Sequence, residues 1–258
     1  MVSGKFPDGQ EFLKANLHTH SIEELCDLIR QGVIVQCGLI PWGSNYTFLV
    51  VMDVGQEWPL LGVYKPRRGE APLWDFPDGT LYKRECAAFL LSEALGWRIV
   101  PPTVIRDGPQ GIGSVQLYMH HQRQDADYFA LREPHAREIK KIAVFDLIAN
   151  NTDRKAGHCL RDEDGYIWGI DHGLTFNLHS GLRTVIWDFG GERIPTRLLR
   201  AIKRVGDDLE ATRGVTCALQ ELLMASEIEG LVERMRMLLE HPTLPDLRRR
   251  RSVPWSFY

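Results

Sequence analysis

Two acids and a histidine stand out in one polar part of the sequence, NNTDRKAGHCLRDEDGYIWGIDHG, which covers residues 150–173. Asp153 and His158 lie five residues apart, and Asp171 follows later. Carboxylates hold divalent metal ions and take protons, and an imidazole does both. Transfer of a phosphoryl group needs little more than metal ions, a cation near the phosphates and a group that orients the attacking hydroxyl. The segment therefore fits a phosphate-transferring loop as well as an ordinary polar loop.

The residues between His158 and Asp171 predict the local structure that brings these side chains together. DEDG is a turn signal, so CLR and YIWGI on either side of it are expected to form the two strands of a short hairpin. A hairpin returns the chain to its starting point. We therefore expect His158 and Asp171 at the same end of the strand pair, with Asp153 close to both.

The first half of the chain has the pattern of a mostly antiparallel sheet with one helix before it and one within it. Ser21 and Glu24 have the spacing of a capping box, which predicts a helix over about residues 21–30. Three extended runs follow, rich in β-branched and aromatic residues: GVIVQCGLI, NYTFLVVMDV and PLLGVYK. A helix is predicted over residues 82–95 and ends at Gly96, and VPPTVI and SVQLYM predict two further strands.

The second half of the chain has the pattern of several helices. In HAREIKKIAVFDLIANN the apolar residues recur every three or four positions. Pro195 predicts the start of a second helix, CALQELLM predicts a third, and Ser226 with Glu229 predicts the capping box of a fourth. Together the two halves predict an α+β fold of two lobes. The sheet-rich lobe is expected in residues 1–119 and the mainly helical lobe in residues 120–258.

Composition narrows the class of protein. The chain of 258 residues is 44% hydrophobic and 25% charged with a net charge of −3, as in ordinary soluble proteins, and it lacks the positive field of many nucleic-acid binders. Five scattered cysteines form neither a disulfide framework nor a zinc motif, and the first residues lack a signal-peptide pattern. The longest apolar run, Cys86 to Leu91, is too short to span a bilayer. We therefore expect a cytoplasmic protein without a transmembrane segment.

Several segments together resemble the phosphatidylinositol 3-/4-kinase-like branch of the protein kinase superfamily, and they are most similar to the type II phosphatidylinositol 4-kinases. NTDR at residues 151–154 resembles the catalytic loop, and IDHGL at residues 170–174 resembles the metal-binding motif. VYKP resembles the strand with the nucleotide-binding lysine, and RECAAFLLSEALGWRIVPPT resembles the helix with its glutamate partner. GSVQLYMHHQRQDADYF resembles the linker against which adenine packs. The similarity extends from about residue 31 to about residue 190, and the chain resembles small bacterial members of this group more than eukaryotic lipid kinases.

The resemblance implies a two-lobed protein-kinase-like fold that binds ATP with Mg²⁺ or Mn²⁺ and transfers the γ-phosphate to a hydroxyl group. Lys65 is implied to contact the phosphates and to pair with Glu85. Asp153 is implied to orient the acceptor hydroxyl and take its proton, and Asp171 to hold the metal. The remaining nucleotide contacts are implied for residues of the PWGSN turn and of the linker: Ser44, Asn45, Gln116, Tyr118 and Met119.

His158 is a departure from the family pattern. Kinases place an Asn five residues after the catalytic Asp, where its oxygen binds a second metal. A neutral imidazole is a poor ligand for Mg²⁺ but a reasonable one for Mn²⁺. His158 can therefore serve as a metal ligand or as a hydrogen-bonding residue of the loop. Loss of the second metal would also weaken catalysis, so a pseudokinase-type nucleotide-binding or interaction module is a second hypothesis.

A competing signal lies near the N-terminus. NLHTHS at residues 16–21 places His18 and His20 two residues apart, as in HxH metal-dependent phosphoesterases. That class needs further ligands after the successive strands of a barrel. Here Asp171 with His172 is the only candidate pair, and the alternation of strands and helices is missing. We interpret His18 and His20 as solvated or capping residues before a helix.

The C-terminal tail combines four arginines, Arg248 to Arg251, with Trp255, Phe257 and Tyr258. Such a cluster can make a peripheral contact with anionic lipid, although chain ends are more often solvated. The palmitoylated cysteine-rich segment of the type II lipid kinases has no counterpart here. Lipid, protein and small-molecule acceptors therefore all remain open.

Overall fold

The computed structural model describes residues 20–41, 45–121, 127–246 and Pro254. The chain forms two compact units: residues 1–86 with 101–120 belong to unit 1, and residues 87–100 with 121–258 belong to unit 2. The chain thus leaves unit 1 within a helix, returns at Pro101 and leaves it again after His120. The lobe boundary expected at residue 119 stays a prediction.

Unit 1 is built on a five-stranded antiparallel sheet in the order β1-β2-β3-β5-β4. The strands are β1 (Val33–Ile40), β2 (Thr47–Asp53), β3 (Leu60–Pro66), β4 (Thr103–Gly108) and β5 (Gly111–Leu117). All five predicted strands are confirmed, because each run of β-branched and aromatic residues pairs with a neighbour in the sheet. The central position of β3, between β2 and β5, fixes the backbone that carries Lys65.

Helix α1 (Ile22–Gln31) precedes the sheet and has the predicted capping box. The Ser21 hydroxyl accepts the Glu24 N–H at 3.2 Å, and the Glu24 carboxylate accepts the Ser21 N–H at 2.7 Å. At the other end of α1 the Arg106 guanidinium donates to the carbonyls of Ile29 and Gly32 at 2.5 and 2.7 Å. A side chain of β4 therefore satisfies backbone acceptors that the end of a helix leaves unpaired.

Helix α2 (Leu81–Ala94) has nearly the predicted bounds. Gly96 has φ of 67°, a left-handed conformation that suits glycine, and it ends the helix as expected. The N–H groups of Gly96 and Trp97 donate to the carbonyls of Glu93 and Ser92 at 2.8 and 3.0 Å. These two bonds satisfy the final carbonyls of the helix, so the stop is a local property of the sequence.

Unit 2 is mainly helical. Its helices are the short α3 (Tyr128–Leu131), α4 (Ala136–Ala149), α5 (Thr196–Glu210), α6 (Thr216–Leu222) and α7 (Ala225–Glu240). A two-stranded antiparallel hairpin, β6 (Cys159–Arg161) and β7 (Ile167–Gly169), follows α4 and confirms the predicted hairpin. Within the described ranges, no helix has both the length and the apolar character needed to cross a membrane.

The capping box predicted for the last helix was wrong. Helix α7 begins at Ala225, and the Met224 N–H donates to the Glu227 carboxylate at 2.8 Å. Ser226 and Glu229 therefore lie inside the helix and not at its start. The Glu three residues after the N-cap supplies the reverse half of a capping box even without a Ser at the N-cap. The Ser226–Glu229 pair has the spacing of a capping box but lies two residues after the true pair, Met224 and Glu227.

Candidate active site

The structure places Lys65 of β3 and Glu85 of α2 in an ion pair within unit 1. The Glu85 side chain is 3% exposed and that of Lys65 is 25% exposed. A buried carboxylate is costly unless a charge and hydrogen bonds compensate for its lost hydration. The pair therefore orients the Lys65 ammonium, which is the arrangement expected for a phosphate-binding lysine.

Glu70 fixes the start of the helix that carries Glu85. Its carboxylate accepts hydrogen bonds from the N–H groups of Leu81 and Tyr82 at 3.0 and 2.8 Å. These are the first residues of α2, where backbone donors lack partners within the helix. Burial raises the pKa of Glu70, while these two bonds oppose the rise. The sequence analysis did not identify this residue, since its helix begins eleven residues later.

The predicted nucleotide contacts of the linker lie at the end of β5. Gln116 is buried in β5, and its amide donates to the Thr103 hydroxyl at 2.9 Å. The Tyr118 N–H donates to the Leu61 carbonyl at 3.0 Å, and Met119 is buried. The Gln116 side chain thus has a structural partner in β4, while Tyr118 and Met119 follow directly after the sheet.

The predicted phosphate-covering turn is only partly described. Ser44 lies outside the described residues. The Asn45 side chain accepts a hydrogen bond from the Ala71 N–H at 2.7 Å, and the Tyr46 N–H donates to the Gly69 carbonyl at 2.9 Å. These bonds tie the beginning of β2 to the chain that follows β3.

In unit 2, Asp153 lies in the loop that follows α4. That helix ends at Asn150, which has φ of 47°, a conformation that Asn tolerates better than most residues. The Asn151 side-chain oxygen then accepts the Asp153 N–H at 3.0 Å. The Lys155 ammonium lies 3.3 Å from the Asp153 carboxylate. The acid is thus held by a local turn and contacts a cation.

The surroundings of Asp153 change its acidity. Burial raises the pKa of the Asp153 carboxyl above its ordinary value; Lys155 opposes the rise and the charge of Asp171 adds to it. A carboxylate with a raised pKa is a better proton acceptor than an exposed one. The environment therefore suits Asp153 to the role that the resemblance implies.

The hairpin brings His158 and Asp171 together as predicted. Cys159 pairs with Gly169, and the Ile170 N–H donates to the His158 carbonyl at 2.9 Å. The His158 Nε2 lies 3.2 Å from the Asp171 carboxylate. The Asp171 side chain is 48% exposed, so about half of it is accessible to solvent.

The hydrogen bonds of His158 favour one of its two possible uses. The Lys155 N–H donates to the His158 Nδ1 at 3.3 Å. An Nδ1 that accepts a hydrogen bond places the proton of a neutral imidazole on Nε2. In this tautomer the Nε2–H faces the Asp171 carboxylate and can orient it.

Sequence analysis missed a buried network beneath these residues. Asp146 of α4 and Arg154 of the loop form an ion pair in which both side chains are 0% exposed. The Arg154 Nη2 lies 2.7 Å from the His172 Nε2. A signal was present, because Asp146 interrupts the apolar run AVFDLIA, and an acid on the buried face of a helix needs a charged partner. Lys155 was also missed, although it lies in the polar stretch that contains Asp153.

Most residues of the competing N-terminal signal and of the C-terminal tail lie outside the described part of the chain. His18 and the arginines 248–251 lie outside the described residues, as do the aromatic residues 255, 257 and 258. His20 directly precedes Ser21, and the Ser21 side chain caps α1. Among the described residues there is no group of three or more His, Cys, Asp and Glu side chains that could hold a metal ion.

The fold is that of a kinase. Over 92% of this chain and 78% of the other, the structure is similar to the crystal structure of the Golgi casein kinase with Mn/ADP bound, with a TM-score of 0.53 and 13% sequence identity. At this identity the likeness concerns the fold alone. The two-lobed kinase-like fold class predicted from the sequence is confirmed.

Sequence comparison defines the family. The profile for phosphatidylinositol 3- and 4-kinase matches residues 84–226. Protein Rv2133c of Mycobacterium tuberculosis is 38% identical over 266 aligned positions, which cover 90% of this chain and 94% of that protein. Phosphatidylinositol 4-kinase gamma 4 of Oryza sativa subsp. japonica is 31% identical over 109 positions, which cover 35% of this chain and 19% of that protein. The chain belongs to the phosphatidylinositol 3- and 4-kinase family, as the resemblance of its motifs predicted.

Proposed function

We propose that this protein is a phosphotransferase that uses ATP and a divalent metal ion to phosphorylate a hydroxyl group. The observation that carries the proposal is the cluster of Asp153, His158 and Asp171, in which the expected proton acceptor lies near the expected metal ligand. The Lys65–Glu85 ion pair supports it, because protein kinases hold their phosphate-binding lysine in such a pair. Family membership supports the reaction class.

In the proposed reaction the acceptor O–H gives its proton to the Asp153 carboxylate. The acceptor oxygen forms a bond to the γ-phosphorus, and the bond from that phosphorus to the bridging oxygen breaks, so ADP leaves with the electron pair. Lys65 donates to the phosphates of the nucleotide and is held by Glu85. Lys155, whose ammonium lies 3.3 Å from the Asp153 carboxylate, would add a second positive charge near the negatively charged transferring group.

The residues present fit a metal ion that is bound together with the nucleotide. Mg²⁺ in kinases is held by one or two carboxylates plus phosphate oxygens and water, and not by an all-protein cage. Asp171 offers a half-exposed carboxylate for this purpose. When bound, the metal neutralises phosphate charge. The Golgi casein kinase structure to which the fold is similar contains manganese and ADP, which supports testing Mn²⁺ beside Mg²⁺.

The test is a calorimetric titration of ATP into the protein with Mg²⁺, with Mn²⁺ and with neither ion. We expect binding that requires a divalent ion and that Asp171→Asn abolishes. Binding in wild type would justify screening inositol lipids, protein hydroxyls and small alcohols as acceptors by release of ADP. Absence of ATP binding under all three conditions would refute the proposal.

One observation favours a second function. His158 stands where kinases have the Asn that binds a second metal, and its Nε2 lies 3.2 Å from Asp171; loss of that ligand is typical of a pseudokinase-type nucleotide-binding module. This alternative predicts metal-dependent ATP binding without phosphate transfer to any acceptor. It also predicts that the protein does not hydrolyse ATP, even slowly. The retained residues Lys65, Asp153 and Asp171 favour the active enzyme.

A further inference from the structure

A buried ion pair connects the end of α4 to the catalytic loop. The Arg154 guanidinium binds the Asp146 carboxylate at two points: Nε lies 2.8 Å from one oxygen and Nη2 lies 2.8 Å from the other. Both side chains are fully buried. Two parallel hydrogen bonds fix the plane of the guanidinium relative to the helix.

The rest of the guanidinium reaches the segment that carries Asp171. The Nη1 group donates to the carbonyls of His158 and Ile170 at 3.1 and 2.7 Å. The Nη2 group lies 2.7 Å from the His172 Nε2, which must accept because Arg has only donors. Arg154 thus holds the residues before and after Asp171.

Asp171 itself has a backbone conformation that needs such support. Its φ is 59°, in the left-handed region that residues other than Gly adopt with strain, although Asp tolerates it better than most. Two of the contacts of Arg154 flank this residue directly. The ion pair therefore stabilises the turn that aims the Asp171 carboxylate.

The same ion pair holds Asp153 through Asn151. The Asn151 side-chain amide donates to Asp146 at 3.0 Å, and its oxygen accepts the Asp153 N–H at 3.0 Å. The Asn151 N–H also donates to the Asp146 carbonyl at 3.0 Å. Asp146 is thus connected to Asp153 by a single side chain, and to Asp171 by Arg154.

We propose that Asp146 and Arg154 are positioning residues that set the separation of Asp153 and Asp171, acting through Asn151 and through the backbone on both sides of Asp171. This inference rests on the proposed function, because the separation matters only if both carboxylates serve one reaction. Neither residue of the pair is exposed to a substrate. A displacement of about 1 Å in a reacting group can cost on the order of 100-fold in rate.

The decisive experiment separates positioning from stability. Replacing a buried ion pair by apolar residues of similar size is often neutral or stabilising, whereas removing one partner is strongly destabilising. The variant is therefore the double substitution Asp146→Leu with Arg154→Met. We expect its Tm to exceed those of Asp146→Leu and Arg154→Met alone, because no unpaired charge is left buried. We expect its kcat, measured as ADP release, to fall about 100-fold, with saturation shifted to higher Mn²⁺ concentration. A double variant whose Tm and kcat both equal those of wild type would refute the inference.

Arg154→Lys provides a second test that keeps the charge, and it decides the question if the double variant does not fold. Lysine is a point charge and lacks the planar fork that binds two oxygens in parallel. We expect a folded protein with reduced kcat and the same shift in Mn²⁺ dependence. Unchanged kcat and Mn²⁺ dependence in Arg154→Lys would contradict the positioning role.

Asp162→Asn is the matched control. Asp162 is also a buried carboxylate of unit 2, and it accepts from the Tyr166 N–H and the Trp168 indole, both at 2.7 Å. It lies at the turn of the hairpin, away from Asp171. We expect a lower Tm but an unchanged Mn²⁺ dependence, and Asp146→Asn should change both.

Failure of the proposed function is recognised in wild type. A wild-type protein that binds no ATP with either metal refutes the proposed function and the inference together. A wild-type protein that transfers phosphate, with a double variant that is equally active, refutes the inference alone.

Discussion

The pKa of the Asp153 carboxyl depends on effects of opposite sign. Burial and the nearby Asp171 raise the pKa of its carboxyl, and the Lys155 ammonium lowers it. The proposed reaction needs the deprotonated form. Activity is therefore expected to fall as the pH drops through this pKa, at a higher pH than for an ordinary Asp near 3.9.

Substitution of Lys155 should change this balance. In Lys155→Met the loss of the cation raises the pKa of Asp153 further, so the acid limb of the kcat/KM profile moves to higher pH. We also expect kcat at its optimum to fall by roughly 100-fold if the ammonium stabilises the transferring group. The measurement is the pH dependence of phosphate transfer, with Lys155→Arg as the charge-preserving control. An acid limb at the same pH in Lys155→Met would show that the cation does not act on Asp153.

Substitution of His158 should change the metal requirement. His158→Asn restores the residue type that active kinases use and supplies an amide oxygen that Mg²⁺ accepts as a ligand. Because the His158 Nε2 lies 3.2 Å from the Asp171 carboxylate, we expect wild type to use a single metal ion. We expect the variant to bind a second one and to gain activity with Mg²⁺. Calorimetry with a non-hydrolysable ATP analogue measures the stoichiometry. A wild type that already binds a second Mn²⁺ would establish His158 as a metal ligand.

At the scale of secondary structure, α2 is fixed at both ends by different means. Glu70 satisfies its first N–H groups, and Gly96 ends it by a left-handed turn. Its last turn also contains an unfavourable group, Glu93. The Oε1 atom of Glu93 is buried and makes no hydrogen bond within the described part of the chain, and the Arg98 guanidinium is 3.8 Å from the other oxygen. A negative charge at a helix C-terminus is also opposed by the helix dipole.

Glu93→Gln should therefore stabilise the protein at neutral pH. Burial raises the pKa of Glu93 in the folded state, and Arg98 opposes the rise only in part. The ionised Glu93 destabilises the folded state fully at pH values above its folded-state pKa. This destabilisation disappears as the pH falls to the pKa of Glu in the unfolded state, near 4.3. We expect the free energy of unfolding to rise by about 0.5–1 kcal/mol at pH 7, and the gain to shrink toward pH 4.

Denaturant unfolding at both pH values measures this difference. Glu240→Gln is the control, because Glu240 also lies in the last turn of a helix, α7, but is exposed. A loss of stability in Glu93→Gln at pH 7 would mean that the attraction of Arg98 outweighs the cost of burial.

At the scale of the whole molecule, nucleotide binding should appear as thermal stabilisation. A ligand at 100 times its Kd adds about 2.7 kcal/mol to the stability of the folded state. In a chain of this size that corresponds to a rise in Tm of roughly 5–10 °C. We expect this rise in wild type with ATP and Mn²⁺, and its loss in Lys65→Met and in Asp171→Asn. An equal rise in either variant would place the bound nucleotide elsewhere.

The sequence by itself determined the hairpin and the helix ends, which depend on neighbouring residues, and the family, which depends on the order of the motifs. Turn residues and β-branched runs define the hairpin of residues 159–169, which brings His158 to Asp171. Ser21 with Glu24 and the Gly after α2 fix helix ends from neighbouring residues alone. The order of Lys65, Glu85 and the two motifs predicted the family that sequence comparison shows.

The tertiary structure decided the partners of buried charges. Nothing in the spacing of Asp146 and Arg154 shows that they pair, because both must first be removed from water by packing that the whole unit supplies. The donor role of His158 depends on the Lys155 N–H, whose direction is set by the folded loop. Glu70 caps a helix only because the chain folds back over the residues between them. Local pattern therefore predicted the helices and strands, and long-range packing determined how the proposed site residues are held.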